Sequence, residues 1–278
     1  MANEFGARVR ERVESVGPLC VGVDPSADAL RGWGRDDDAE GAEFVALGLV
    51  DAAADAAAAV KLQVAFFERF GSRGFAVLER VMADAADAGL LVIADAKRAD
   101  ITSTNEGYAS AWLDDASPLV ADAVTVSAYL GVGVLHPFVA RARATSRGVL
   151  VLAATSNVEG REVQVARRGD ARTVEEWVLD EVAALNDRDD GRGAVGVVYG
   201  ATRGTQTFEL ARLGGPCLVP GLGVQGASPA DVARVTSQCA PNSVLASVSR
   251  SIAESGPDRR ALRDAARRWR DDLVSARG

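Results

Sequence analysis

The sequence predicts a single (β/α)8 (TIM) barrel, an α/β fold, spanning residues 1–278 as one domain. Eight short apolar runs recur along the chain, and continuous runs of this length suit strands that are buried on both faces of a parallel sheet. Amphipathic helical patterns lie between these runs, and such alternation over this length is typical of the barrel. No linker or repeat divides the chain. A doubly wound open sheet is the alternative.

The eight predicted strands follow one another at fairly regular spacing. In chain order they are Leu19–Val23, Ala58–Leu62, Leu90–Ala94, Ala123–Val126, Val149–Ala153, Ala194–Val198, Cys217–Val219 and Val244–Ala246. The clearest helical patterns are Ala39–Ala57, Arg73–Ala88, Val174–Leu185, Ser228–Gln238 and the surface helix Asp258–Arg277. The pattern at Ser228 begins with Ser-Pro and has an acid at Asp231, which is a helix-start signal.

Composition limits the classes of function. The net charge is −8 and the isoelectric point is about 4.9, which argues against binding to nucleic acid or to a membrane surface. The alanine-rich stretch Ala52–Val60 is too short to span a bilayer. Cys20, Cys217 and Cys239 lack CxxC spacing, which indicates free thiols in a reducing compartment and predicts a cytoplasmic protein. The single histidine excludes metal sites built from several histidines.

The basic residues are strongly skewed, with two lysines against 29 arginines. Lys61 and Lys97 therefore mark positions where a compact ammonium, able to release a proton, is needed in place of a guanidinium. Both lie in or beside apolar runs, and Asp95 precedes Lys97 by two residues. Because strand side chains alternate between faces, the Asp95 carboxylate and the Lys97 ammonium are expected on the same side. Each would then compensate the burial of the other.

Polar residues cluster where the predicted strands end, which is where barrel enzymes place their sites. Those following the first three strands are Asp24, Lys61, Asp95, Lys97 and Asp100. Those following later strands include Ser156, Gln225 and Arg250. An alternating set of carboxylates and ammonium groups costs stability and adds nothing to packing, so it favours a catalytic role over a structural ion pair.

The segment Pro220–Gly226 contains a formal GxGxxG pattern. It follows the seventh predicted strand, and Ser247 stands where a dinucleotide-binding fold would place an acid at the end of the next strand. A glycine-rich loop after strand 7, with Arg250 after strand 8, instead matches the phosphate site of barrel enzymes. Backbone N–H groups and a guanidinium are both suited to hold that anion.

Three motifs together resemble one family. Asp95–Ile101 is similar to the DxKxxDI signature of orotidine 5′-phosphate decarboxylase, and Ala154–Gly160 and Pro220–Gly226 resemble two further motifs of its longer bacterial subtype. The resemblance extends from Asp24 to Arg250. It implies a metal-free and cofactor-free enzyme that converts orotidine 5′-monophosphate to uridine 5′-monophosphate and carbon dioxide in pyrimidine biosynthesis.

The resemblance also implies roles for individual residues. Lys97 would protonate C6 of the pyrimidine, with Asp95 against the departing carboxylate. Lys61 would hold the aspartates and a ribose hydroxyl, and Asp24 would bind the ribose. Asp100 and Thr104 would reach the substrate of the neighbouring subunit in a homodimer. Ser156 would contact the pyrimidine, while Gln225 and Arg250 would hold the phosphate.

The sequence is also compatible with other functions. A Mg²⁺-dependent sugar-phosphate decarboxylase or aldolase of the same suprafamily shares the DxKxxD pattern. A Schiff-base aldolase is disfavoured, because neighbouring aspartates keep a lysine protonated when that chemistry needs a neutral amine. A non-catalytic nucleotide-binding barrel is the alternative from another class, and turnover would discriminate against it.

Overall fold

Eight parallel strands close into a barrel in the computed structural model, which describes residues 4–187, 193–202 and 210–277. Each strand pairs with its neighbours in chain order, and β8 returns to pair with β1. The strands are β1 Leu19–Val23, β2 Ala59–Gln63, β3 Leu91–Arg98, β4 Ala123–Ser127, β5 Gly148–Ala154, β6 Val195–Tyr199, β7 Cys217–Val219 and β8 Val244–Val248. The predicted barrel is therefore confirmed, and the open doubly wound sheet is wrong.

Helices surround the barrel. Those of the described residues are α1 Phe5–Val16, α2 Ala27–Gly32, α3 Ala39–Ala53, α4 Ala65–Glu68, α5 Gly71–Asp87, α6 Thr102–Leu113, α7 His136–Ala144, α8 Arg161–Gln164, α9 Val174–Asn186, α10 Pro229–Val235, α11 Arg250–Ala253 and α12 Arg259–Ser275. Their apolar faces and the outer face of the sheet form the larger of two apolar cores. Because the connections at the carboxyl ends of the strands all open on one side, polar residues there are brought together.

The predicted elements differ from the observed ones mainly at their ends. The helix start at Ser228 is confirmed, because the Ser228 hydroxyl accepts the Asp231 N–H at 3.2 Å and the Asp231 carboxylate accepts the Ser228 N–H at 3.0 Å. Ser228 is therefore the residue that caps α10. The largest strand difference is β3, which continues through Arg98, four residues beyond its predicted end at Ala94.

Helix α1, which the apolar patterns did not reveal, closes the amino-terminal end of the barrel. Phe5, Val9 and Val13 are buried and pack with small and branched side chains from inside the sheet. A Cβ atom on Gly148, the first residue of β5, would lie 2.1 Å from the Phe5 ring. The glycine therefore provides the space that the ring occupies.

A buried carboxylate anchors α1 to the barrel. Arg8 pairs with Asp122, which lies just before β4, and the other Asp122 oxygen accepts the backbone N–H of Val92 at 2.7 Å. The helix that closes the barrel is thus held by an apolar side chain within the barrel and an ion pair at its rim. Packed apolar side chains thus fill the amino-terminal end of the barrel, and the polar residues lie at the opposite end.

We predict that Phe5→Ala lowers the free energy of unfolding by about 3–5 kcal/mol, because it removes a large ring from a site with no exposed surface. Chemical denaturation measures this change. Val274→Ala in α12 is the control, since Val274 is half exposed and should cost far less. Equal effects of the two substitutions would contradict the role of α1 in closing the barrel.

Candidate active site

A cavity of about 270 Å³ opens at the carboxyl ends of the strands. Seven of the nine site residues predicted from the sequence line it, namely Asp24, Lys61, Asp95, Lys97, Ser156, Gln225 and Arg250. They come from loops or strand ends around most of the barrel. The fold, and not proximity in sequence, assembles them.

The centre of the cavity floor is a chain of alternating charges. The Lys61 ammonium lies 2.9 Å from one oxygen of Asp95 and 3.8 Å from Asp24. The other Asp95 oxygen lies 2.6 Å from the Lys97 ammonium. Asp95 therefore joins the two lysines, and the four groups run in the order Asp24, Lys61, Asp95 and Lys97.

The two lysines occupy different environments. The Lys61 side chain is 8% exposed, whereas the Lys97 side chain is 44% exposed. Lys61 belongs to a regular part of β2, but Lys97 has a φ of 49°, a left-handed conformation that is uncommon for residues other than glycine. Lys61 is therefore a buried partner of the aspartates, and Lys97 presents its ammonium to the cavity.

Electrostatics fixes the charge states of the buried pair. Burial favours the neutral form of Asp95, but the charges of Lys61 and Lys97 and their hydrogen bonds outweigh it and hold the Asp95 pKa well below its usual range. Burial likewise favours neutral Lys61, yet the charges of Asp95 and Asp24 raise the Lys61 pKa well above its usual range. Both groups are charged throughout the physiological pH range.

Asp24 is held ready for a hydrogen-bond donor. One of its oxygens accepts the hydroxyl hydrogen of Ser249 at 2.5 Å. The other oxygen is buried and has no hydrogen-bond partner within the described part of the chain. Because such an oxygen is costly to leave unpaired, the site is suited to a ligand that donates a hydroxyl.

The opposite side of the cavity is built from the glycine-rich loop after β7. Gly221 and Gly223 have φ values of 108° and 71°, which favour glycine. Gln225 in this loop accepts a hydrogen bond from the Ser156 hydroxyl at 3.1 Å. Arg250 is exposed at the start of α11 and has no carboxylate partner among residues 4–187, 193–202 and 210–277. This side can hold an anion.

Asp100 and Thr104 do not join this cavity. Asp100 lies beyond β3, and its carboxylate accepts the backbone N–H of Ile101 at 2.7 Å. Asn105 fixes the turn by accepting the Asp100 N–H at 2.8 Å and donating to Val134 at 2.7 Å. Thr104 is exposed in the first turn of α6. The expected rim of three carboxylates is thus not formed within one chain.

Three further residues contact the charge network and were not identified from the sequence. Gln63 accepts a hydrogen bond from the Lys97 ammonium at 3.2 Å, and the Thr125 hydroxyl contacts Asp95 at 2.9 Å. Ser249 is the third. Gln63 is the last residue of β2, so its position could have marked it, but Thr125 lies in the middle of β4 and no charge or motif distinguishes either residue. No group of three or more acidic, histidine or cysteine side chains in the described residues is arranged to hold a metal ion.

Comparison with known proteins agrees with this geometry. The model of the orotidine 5′-phosphate decarboxylase/HUMPS family matches residues 17–265. The chain belongs to this family. A protein of Salinispora tropica named orotidine 5′-phosphate decarboxylase is 53% identical over 272 residues, covering 98% of both chains. The resemblance recognised from the three motifs is confirmed.

Solved structures support the same family assignment. A protein from Streptomyces avermitilis superposes with a TM-score of 0.92 at 47% identity, covering 99% of this chain and 96% of the other. The OMP decarboxylase of Leishmania donovani superposes with a TM-score of 0.77 at 32% identity, covering 99% of each chain. Family membership therefore extends over the whole barrel.

We predict that Lys61→Met lowers the free energy of unfolding by about 3–5 kcal/mol at pH 7, because it removes the buried ammonium that lies between the Asp95 and Asp24 carboxylates. Because the Asp95 pKa is lowered on folding, its charge stabilises the fold fully above the pKa of an unfolded aspartate, about 4. Because the Lys61 pKa is raised on folding, its charge stabilises the fold fully below the pKa of an unfolded lysine, about 10. The loss should thus stay constant between about pH 5 and pH 9. It should shrink as the pH falls through the folded pKa of Asp95 or rises through that of Lys61.

Denaturation series at several pH values measure this dependence. Arg80→Met is the control, because it breaks the solvated Arg80–Glu43 pair on the surface and should have a much smaller effect. A loss for Lys61→Met that changes steeply between pH 5 and pH 9 would show that the network titrates there and would contradict the assigned charge states.

Proposed function

We propose that this protein is a carboxy-lyase that converts orotidine 5′-monophosphate to uridine 5′-monophosphate and carbon dioxide in pyrimidine biosynthesis. Family membership and the 53% identical relative support this reaction. The observation that carries the proposal is the partly exposed Lys97 ammonium, 2.6 Å from buried Asp95 in the cavity. It supplies a fixed positive charge and a proton at one point.

The decarboxylation needs both the positive charge and the proton. When the bond between C6 and the carboxylate breaks, its electron pair stays on C6 in the plane of the ring, where the π system cannot delocalise it. Lys97 stabilises this charge electrostatically and transfers one proton to C6, which completes the product. Lys97 then regains a proton from solvent.

The neighbouring groups would keep Lys97 charged and aimed. Asp95 would lie against the substrate carboxylate before carbon dioxide leaves, and Lys61 would hold Asp95 and Asp24 while donating to a ribose hydroxyl. The Asp24 oxygen that lacks a hydrogen-bond partner in the described part of the chain is placed to accept a hydrogen bond from a ribose hydroxyl. In this arrangement the sugar lies over Asp24 and Lys61, and the reacting carbon lies over Lys97.

The phosphate would bind on the glycine-rich side. Gln225 and the exposed Arg250 guanidinium would hold it, and Ser156, whose hydroxyl donates to Gln225, would reach the pyrimidine. Since the phosphate is far from the reacting carbon, its binding energy can order the site without taking part in bond breaking.

We propose that the reaction needs no metal or other cofactor. Both oxygens of Asp95 accept hydrogen bonds, one from Lys61 and the other from Lys97 and Thr125. A carboxylate occupied in this way is poorly suited to bind Mg²⁺, as the sugar-phosphate relatives of the suprafamily require. The lysine pairing equally disfavours a Schiff-base aldolase, and an intact proton donor disfavours a binding protein without activity.

We also propose a homodimer with shared active sites. Asp100 and Thr104 would extend into the cavity of the partner subunit and complete its set of charges. The apolar side chains of Ile101, Tyr129 and Leu130, on the connections that follow β3 and β4, are exposed at 61%, 82% and 50%, as expected of a surface that a second copy covers.

The protein is proposed to work in the cytoplasm as one domain of 278 residues. All three cysteines are free thiols, which is typical of a reducing compartment. No helix in the described ranges has both the length and the apolar character needed to cross a bilayer. The acidic net charge disfavours nucleic acid as a partner.

We predict that purified protein decarboxylates orotidine 5′-monophosphate in excess EDTA, and that Lys97→Ala lowers kcat by more than about 10³-fold because proton donor and cation are both lost. The fall in ultraviolet absorbance of the substrate measures turnover. Binding of uridine 5′-monophosphate by the variant is the control for an intact site. Turnover that requires Mg²⁺, or an active Lys97→Ala variant, would contradict the proposal.

We predict that mixing two inactive variants, Lys97→Ala and Asp100→Ala, restores activity. If Asp100 acts across the dimer, each mixed dimer has one site with both native residues, so random exchange should give roughly a quarter of wild-type activity. The assay follows activity after unfolding and refolding the variants together, with each variant refolded alone as the control. No gain on mixing would place Asp100 in its own subunit's site or outside the chemistry.

A further inference from the structure

The backbone that carries Lys97 departs from a regular strand. Along the pair formed by β3 and β4, Ala94 lies opposite Val124, but the next matched pair is Arg98 with Val126. Four steps along β3 thus face two steps along β4, and the intervening residues form a bulge. Lys97, with its φ of 49°, lies within this bulge. Such a conformation costs free energy and persists only where its surroundings hold it.

Thr125 is the β4 residue that faces the bulge. Its hydroxyl oxygen accepts the backbone N–H of Lys97 at 2.9 Å, which replaces a ladder hydrogen bond that the bulge removes. The same hydroxyl donates its one hydrogen to Asp95 at 2.9 Å. One side chain therefore fixes both the main chain of the proposed proton donor and the carboxylate that aims it.

The environment of Thr125 makes these contacts rigid. The residue has no exposed surface and does not line the cavity, so it has no access to substrate. Its β-branched side chain is confined to few rotamers. Asp95 in turn receives the Lys97 ammonium on the same oxygen that Thr125 contacts. The position of the Lys97 ammonium therefore depends on Thr125 in two ways, through the hydrogen bond to the Lys97 backbone and through the hydrogen bond to Asp95.

We propose that Thr125 is a positioning residue for the decarboxylation, acting through Lys97 and Asp95 and not through the substrate. This inference rests on the proposed function for its kinetic consequence. A hydroxyl that only stabilised the fold would affect unfolding without moving Lys97. A hydroxyl that sets the bulge would affect kcat and the Lys97 environment together.

The first test is kinetic. Thr125→Val keeps the shape and removes both hydrogen bonds, and kcat should fall about 10- to 100-fold with little change in KM, because a proton donor misplaced by a fraction of an ångström loses its alignment. Thr125→Ser retains the hydroxyl and should recover most of the activity. Thr236→Val is the matched control, because Thr236 is buried, does not line the cavity, and donates its hydroxyl to Val232 at 2.7 Å.

The second test needs no substrate. Because the chain has two lysines, lysine labelled with ¹³C gives two sets of side-chain signals, which the spectrum of Lys97→Ala assigns. In Thr125→Val the Lys97 signal should shift or split, whereas it should match wild type in Thr125→Ser and Thr236→Val. Should the valine variant fail to fold, Thr125→Ala supplies the same comparison.

Each outcome bears on a distinct claim. A Thr125→Val variant with wild-type kcat, or with reduced kcat and an unmoved Lys97 signal, would overturn the positioning role. A wild-type protein that leaves orotidine 5′-monophosphate intact would instead overturn the proposed function. The spectra would then still decide whether Thr125 sets the environment of Lys97.

Discussion

The buried contact between Lys61 and Asp95 is the constraint on which the site depends. Two charges withdrawn from water cost several kcal/mol each, and only their mutual attraction and further hydrogen bonds offset that cost. Every other polar group of the cavity floor is arranged around this pair. Asp24 adds a second carboxylate to Lys61, and Lys97 adds a second ammonium to Asp95. The four charged groups of the cavity floor therefore stabilise one another, and removing one of them destabilises the rest.

The rest of the fold keeps this set at one end of the barrel. Helix α1 fills the amino-terminal end with Phe5 and is held there by Arg8, so the interior is apolar up to the level of Lys61. Burial below the pair and solvent above it give the two lysines their different exposure. The same gradient explains why one lysine is suited to hold the network and the other to deliver a proton.

The sequence predicted the barrel and most of the cavity because both leave strong local signals. Apolar runs mark buried strands, and the scarcity of lysine singled out Lys61 and Lys97. Thr125 and Ser249 could not be predicted, because a single hydroxyl residue in or near an apolar strand forms no recognisable sequence pattern. The bulge at Lys97 could not be predicted either, since it depends on how β3 pairs with β4 and not on the local sequence. Asp100 was expected at the rim, but its carboxylate caps a neighbouring backbone N–H within its own chain.

The unequal exposure of the two lysines has a consequence for the chemical modification of this protein. Arginine supplies nearly all of the surface cations, and acylating electrophiles react with neutral amines far more readily than with guanidinium groups. Lys61 is shielded at 8% exposure, whereas Lys97 is open at 44%. The ion pair with Asp95, 2.6 Å from the Lys97 ammonium, favours the charged form, which does not react with such reagents. The carboxylate that prepares Lys97 for proton transfer thus also shields the one exposed lysine of the chain from acylation.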